Sequence, residues 1–163
     1  MLIGILSDSH DDMERIQKAV DLFNARGASH ILHAGDIISP FTFEVFGGLK
    51  GAFSGVFGNN DGDRVLLVEK SGGNMHTQPY LMTLEERRIV VVHEPDIVSA
   101  LAESGRFDLV VYGHTHRPEI RKTGNALVIN PGKAARLHKG DSTVALLDTD
   151  TMEAEIIDLS KIQ

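Results

Sequence analysis

Short apolar runs alternate along this chain with amphipathic stretches, and most runs stop at a glycine or a small polar turn. Such a rhythm predicts an α/β protein whose buried strands are separated by helices packed on their faces. Leu2 to Leu6 reads as the first strand. After a polar turn from Asp8 to Asp12, Ile16, Ala19, Val20 and Phe23 recur at helical spacing, and Arg26-Gly27 supplies the stop. A second strand is expected at Ile31 to Ala34, with a helix after Ser39-Pro40, where proline suits the first turn. Further strands fall at Ala52 to Phe57, Ile89 to Val92, Leu109 to Tyr112 and Ala126 to Ile129. The last part, Val144 to Leu147 and Ala154 to Asp158, alternates as a hairpin around Asp148-Thr149-Asp150-Thr151. No internal repeat, low-complexity tract or linker interrupts the pattern.

Polar residues of one chemical kind collect where these runs end. They are Asp8 and His10 in Ser7-Asp8-Ser9-His10, Asp36 after Gly35, Asn59 after Gly58, His93 after Val92, and His114 and His116 in Gly113-His114-Thr115-His116. In an open α/β sheet, the loops beyond the carboxyl ends of the strands can aim side chains without disturbing the core. The glycines at 35, 58 and 113 would permit tight turns beside them. Imidazole and carboxylate together suit manganese, iron, nickel or zinc, whereas a magnesium or calcium site would be nearly all oxygen. Seven such donors suffice for two ions. Two ions about 3.5–4 Å apart can hold one phosphate, activate a water as nucleophile and neutralise charge at phosphorus. The reading is a phosphoester hydrolase.

Singly, each signal has a plain alternative. His93 alone would be a hydrogen-bonded structural residue, Gly35-Asp36 a common turn, and an H-x-H pair could lie on one solvated strand face. Their number and order carry the argument. His30, His76 and His138 fit no such block and are expected to face solvent or bond locally. His33, on the strand leading to Asp36, is expected to pack or to support the metal ligands from behind.

The ordered blocks D-x-H, G-D, G-N-x-D, an isolated H and G-H-x-H resemble the calcineurin-like metallophosphoesterase superfamily, and specifically its small uncapped branch of bacterial and archaeal phosphodiesterases. The resemblance runs from Leu2 to the Asn130-Pro131-Gly132 turn. It implies a sandwich of two packed, mostly mixed β-sheets flanked by helices. It also implies that Asp8, His10 and His116 hold one divalent ion, that Asn59, His93 and His114 hold the other, and that Asp36 bridges them. A shared carboxylate lowers the repulsion between two dications. The implied activity is hydrolysis of small phosphodiesters by a hydroxide activated at the metal pair. Phosphomonoesterase activity is the near alternative, and a catalytically weak protein-binding scaffold is the alternative of a different class. Small relatives also form dimers or tetramers.

Two positions depart from the family pattern. Many relatives place a histidine after the ligand asparagine as general acid, whereas this chain has Asn60, which donates no proton at neutral pH. A preference for good leaving groups, or a water as acid, would follow. Asn60 could instead bind substrate and Asp61 orient the loop, or both could simply form a turn. Glu94 stands where relatives commonly have glycine, and it would repel a phosphate, bind a metal or point outward before a helix starting at Pro95. Arg64, after the Asn59 loop, and Lys133, after the Asn130-Pro131-Gly132 turn, are candidates for the substrate phosphate or ordinary surface charges.

Composition narrows the class. With 163 residues the chain suits one domain, and its 42% hydrophobic and 24% charged content suits a globular fold. No run approaches the roughly 18 apolar residues of a membrane helix. Met1 leads straight into the first strand without a basic leader, so cytoplasmic residence is expected. There is no cysteine, so thiolate ligands and a cysteine nucleophile are excluded, and the G-x-x-x-x-G-K-[ST] loop is missing. A net charge of -7 argues against a surface that tracks long nucleic acid, but not against a small phosphorylated substrate drawn to two dications.

Overall fold

The computed structural model describes residues 1–137 and 141–162, so His138 lies outside the described residues. In chain order the first half holds β1 (Leu2–Leu6), α1 (Met13–Arg26), β2 (His30–His33), α2 (Phe43–Phe46), β3 (Ala52–Val56), α3 (Arg64–Lys70), β4 (Met75–His76), β5 (Tyr80–Leu84) and β6 (Arg87–Val91). The second holds α4 (Val98–Glu103), β7 (Leu109–Val111), β8 (Glu119–Thr123), β9 (Ala126–Asn130), β10 (Thr143–Asp148) and β11 (Glu153–Asp158).

These strands form two mixed sheets, one ordered β11-β10-β1-β2-β3-β4 and the other β5-β6-β7-β9-β8. Strands β1 to β4 run parallel, as do β6, β7 and β9, and the remaining strands pair antiparallel at the outer positions. Alternation along each strand separates the layers. Ile3 and Ile5 of β1 meet Ile89, Val91, Leu109 and Val111 in the core between the sheets. Leu6 turns the other way, onto Ile16, Ala19, Val20 and Phe23 of α1. Val90, Val92 and Val110 cover the outer face of the second sheet together with Val98 and Ala102 of α4. Two sheets flanked by helices therefore match the expected architecture.

Local chemistry explains the boundaries. Asp12 caps α1 by accepting from the Arg15 amide at 3.2 Å, and Gly27 ends the helix in the left-handed conformation at φ +73°. The helix expected after Ser39-Pro40 is shorter than its pattern suggested. A 3-10 turn at Pro40–Thr42 runs into the single turn of α2, whose Phe43 and Phe46 close on Phe53. The helix expected at Pro95 begins at Val98.

Candidate metal centre

All the parallel strands deliver their carboxyl ends to one rim, and the loops there are laced together before any side chain is considered. The Asp8 amide donates to the Gly35 carbonyl at 2.9 Å, that of His10 to Asp36 at 3.1 Å, and that of Gly113 to His93 at 3.1 Å. Asp8, His10, Asp36, His114 and His116 all have positive φ, between 39° and 66°. Five non-glycine residues in the left-handed region around one spot are costly, and such strain collects where side chains must be aimed rather than merely packed. Of the three neighbouring glycines only Gly35 has a positive φ, at +93°. Gly58 and Gly113 are needed for space instead. A Cβ on Gly58 would lie 2.2 Å from Asp36 Oδ1, and one on Gly113 2.0 Å from Ser7 Oγ.

The seven donors fall into two groups around a common carboxylate. Asn59 Oδ1 lies 2.9 Å from both His93 Nε2 and His114 Nδ1, which are 3.2 Å apart, and His93 Nε2 is 3.5 Å from Asp36 Oδ2. In the other group Asp8 Oδ1 lies 3.1 Å from His116 Nε2 and 3.8 Å from His10 Nε2. His10 Nε2 is in turn 3.6 Å from Asp36 Oδ2, which thus sits between a histidine of each group. Ligand bonds of about 2.0–2.2 Å place donors around one ion roughly 3–3.5 Å apart, so the Asn59 group matches that spacing and the Asp8 group is slightly wider.

One atom tests the fit independently. His10 Nε2 is buried and has no hydrogen-bond partner, although an imidazole nitrogen so placed ordinarily finds one. A cation bound by Asp8, His10 and His116 would satisfy it. The tautomers agree as well, because His93 Nδ1 bonds the Ala34 carbonyl at 2.7 Å and thereby leaves Nε2 free to face the other donors.

Electrostatics keep the carboxylates ionised. Burial pushes Asp8 up, but the imidazole of His10, the Ser7 hydroxyl and the nearby His93 and His116 bring it below its ordinary value. Burial also opposes ionisation of Asp36, and the bonds from His93 and Asn60 overcome it decisively, lowering its pKa. Burial lowers His93 too, yet Asp36, the Ala34 carbonyl and Asp8 outweigh it and raise the pKa. His33 is wholly buried and held down to about 3 by that burial, so it is neutral, with Nε2 at 2.9 Å from Ser9 Oγ and Nδ1 accepting from the Gly35 amide. It braces both turns from behind.

The remaining sequence candidates find varied places. Asn60 gives both its amide and its side chain to Asp36, at 2.9 and 2.7 Å. Asp61 is 5% exposed and accepts from the amides of Asp36, Gly58 and Ile38 at 3.0, 2.7 and 2.7 Å, fastening the Asp36 and Asn59 loops together. Arg64 reaches back to the Gly58 and Asp61 carbonyls and lies over the Phe57 ring. Lys133 is buried, with Nζ donating to the Asp141 carbonyl at 3.1 Å. His30 is buried beside Ser54 Oγ rather than facing solvent, and His76 stacks on Tyr80.

Two supporting residues were missed as functional positions. Asn130 donates to the Gly113 carbonyl and Thr115 Oγ1, both at 3.0 Å, and so ties down the turn carrying His114 and His116. The Asn-Pro-Gly turn was its signal. Gln78 accepts from the His93 amide at 2.6 Å, and nothing in its sequence surroundings pointed to that contact.

Comparison with known proteins identifies the family. Residues 1–152 match the family model described as the calcineurin-like phosphoesterase superfamily domain. A phosphodiesterase of Methanocaldococcus jannaschii is 32% identical over 159 residues, covering 94% of this chain and 96% of the relative. A probable metallophosphoesterase of Methanothermobacter thermautotrophicus is 31% identical, over 96% of this chain and 92% of the relative. A solved structure described as a novel archaeal phosphodiesterase superposes with a TM-score of 0.91 at 31% identity, covering 97% of this chain and 99% of the other. The strand-end rim carries Asp and His groups that could hold a metal ion, and the chain belongs to the calcineurin-like phosphoesterase superfamily.

Proposed function

We propose that this protein is a metal-dependent phosphodiesterase acting on small phosphodiesters, with Asp8, His10 and His116 holding one divalent ion, Asn59, His93 and His114 a second, and Asp36 shared between them. The observation that carries the reading is the position of Asp36 Oδ2, 3.6 Å from His10 Nε2 and 3.5 Å from His93 Nε2, beside the orphaned His10 nitrogen. The names of the relatives point to diesters. The mixed nitrogen and oxygen donors favour manganese, nickel, iron or zinc over magnesium. When bound, such ions supply concentrated positive charge that polarises a phosphoryl oxygen and makes water a competent nucleophile near neutral pH.

The chain supplies orientation. Asp36 is fixed by two donors from Asn60, and Asp8 Oδ2 is occupied by the Ser7 hydroxyl and the His114 amide, which leaves Oδ1 to face the histidines. His114 is exposed, so substrate reaches the cluster directly from solvent. Asn60 commits its side-chain donor to Asp36 and carries no acidic proton, so no protein acid stands where many relatives have histidine. Substrates with stable leaving groups are therefore favoured.

The test is hydrolysis of bis(p-nitrophenyl) phosphate and p-nitrophenyl phosphate by metal-stripped protein, with manganese, nickel, zinc or magnesium restored and Asp36→Ala as control. Diester turnover that needs a transition metal and vanishes in the variant supports the reading. Faster monoester turnover would instead make the protein a phosphomonoesterase.

A further inference from the structure

Gln78 and Glu94 form a paired device on the metal rim. The chain crosses from the first sheet to the second between β4 and β5, and it does so at this rim. The Phe57 amide donates to the His76 carbonyl at the end of β3, and Tyr80 pairs with Val91 at the end of β6. Gln78 thus stands between the strand leading to Asn59 and the strand leading to His93. Its Oε1 accepts from the His93 amide at 2.6 Å and, more weakly, from that of Glu94 at 3.4 Å, while its Nε2 donates to the Glu94 carboxylate. Glu94 is only half-buried, so water was available to solvate it. Instead it is held by a neutral amide, its one side-chain partner among the described residues.

We infer that Glu94, fixed by Gln78 beside the ligand His93, is a specificity-determining residue that selects singly charged phosphodiesters over doubly charged phosphomonoesters and inorganic phosphate. The inference rests on the proposed phosphodiesterase reading and deepens it. A diester carries one negative charge at neutral pH, whereas a monoester carries nearly two, because a second oxygen ionises with a pKa near 6. The metal ions attract both. A carboxylate beside the site repels both as well, but it penalises the dianion by one further unit of charge. For two unit charges about 8 Å apart at an effective dielectric of 20 to 40, Coulomb's law gives a change in preference of roughly tenfold. Gln78 completes the device because an unheld glutamate would swing into water and lose most of the effect. The amide contact to His93 makes Gln78 a positioning residue at the same time.

The experiment compares manganese-loaded wild type, Glu94→Gln and Gln78→Ala, with Glu103→Gln on α4 as a control for net charge. The ratio of kcat/KM for bis(p-nitrophenyl) phosphate over p-nitrophenyl phosphate is expected to fall roughly tenfold in Glu94→Gln and in the same direction in Gln78→Ala. It should stay unchanged in the control. Calorimetric titration with inorganic phosphate and with dimethyl phosphate gives a second readout without turnover, and Glu94→Gln should tighten phosphate roughly tenfold relative to dimethyl phosphate. If both ratios stay within twofold of wild type, or both esters slow in equal proportion, the inference is overturned and the pair is structural. Loss of a bound manganese from Glu94→Gln would also overturn it by making Glu94 a ligand. A wild-type enzyme that turns over neither diester nor monoester defeats the phosphodiesterase reading itself, which the calorimetric comparison leaves separately readable.

Discussion

Removing Asp61 should do more damage to the fold than removing any metal ligand, although it touches no proposed ion. Its carboxylate accepts three backbone amides, from Asp36, Gly58 and Ile38, at 3.0, 2.7 and 2.7 Å, and it is 5% exposed. Asp61→Ala leaves those amides without an acceptor where water enters poorly. Each unsatisfied buried donor costs about 1–3 kcal/mol, and relaxation of the loop recovers part of it, so the net loss should be about 4 kcal/mol. For a chain of this size that corresponds to a fall in Tm of about 8–16 °C. Asp61→Asn keeps one acceptor oxygen but turns an NH2 group toward a donor, so it should lose about half as much. Urea unfolding in the presence of a chelator is the right assay, because metal loss then cannot contribute to the difference. A loss below about 1 kcal/mol in Asp61→Ala would refute the claim that this carboxylate holds the Asp36 and Asn59 loops together.

Further outcomes follow from the same geometry. Asp36→Ala should reduce bound manganese, measured by atomic emission after dialysis, at both sites together and cut diester turnover by at least about a thousandfold, whereas loss at one site alone would contradict the bridging position. Gly113→Ala pushes a methyl against Ser7 Oγ and Asp8 Oδ2, at 2.0 and 2.9 Å, so it should weaken metal binding in the same assay even though Gly113 bears no ligand. His33 is held neutral down to about 3 against an ordinary 6.5, so the folded state resists a proton that the unfolded state accepts. Its contribution is complete above pH 6.5 and is lost as pH falls, so acidifying metal-free protein from pH 7 to 5 should cost about 2 kcal/mol by this group, and His33→Gln should flatten the urea-derived pH slope accordingly. Because Asn60 offers no acid, the rate across aryl methyl phosphodiesters should drop steeply as the leaving phenol becomes more basic, and a flat dependence would place a proton donor in the site.

The fold was legible where burial and alternation were strong. The strands at Leu2, Ala52, Leu109 and Ala126 begin where their apolar runs begin, and the hairpin ending the chain pairs Val144 with Ile157 and Leu147 with Ala154. Edge strands escaped notice. In β5 and β8 alternate residues are exposed, and Glu119-Ile-Arg-Lys-Thr123 looks like solvated loop until β9 pairs with it. Short helices escaped for a related reason. In α3, Val65, Leu66 and Val68 are exposed while Leu67 is fully buried, so one anchoring residue leaves little periodicity to detect.

The site shows the same division. The seven candidate donors that the structure gathers on one rim were marked by type and by their position after strands, because metal chemistry would restrict the residues that could serve and leaves a readable spacing. The groups that hold those donors are chosen by geometry and carry no such mark. Gln78 reaches the His93 amide across 15 residues, and Asn130 reaches Gly113 across 17, so neither contact has a local pattern. Glu94 was visible as a departure, but its fixation by Gln78, 16 residues away, arises only in the folded chain. His30 was expected to face solvent or bond locally; it continues the strand from its polar end and bonds Ser54 on the neighbouring strand, a partner 24 residues away that no local pattern signals.

The central claim, two ions sharing Asp36 to hydrolyse a phosphodiester, is tested most directly by titrating manganese into metal-stripped protein while following both bound metal and turnover of bis(p-nitrophenyl) phosphate. The account predicts two equivalents bound per chain, turnover that rises with occupancy of the second, and loss of both binding and turnover in Asp36→Ala. Saturation at one equivalent with full turnover, or turnover that survives Asp36→Ala, would contradict it.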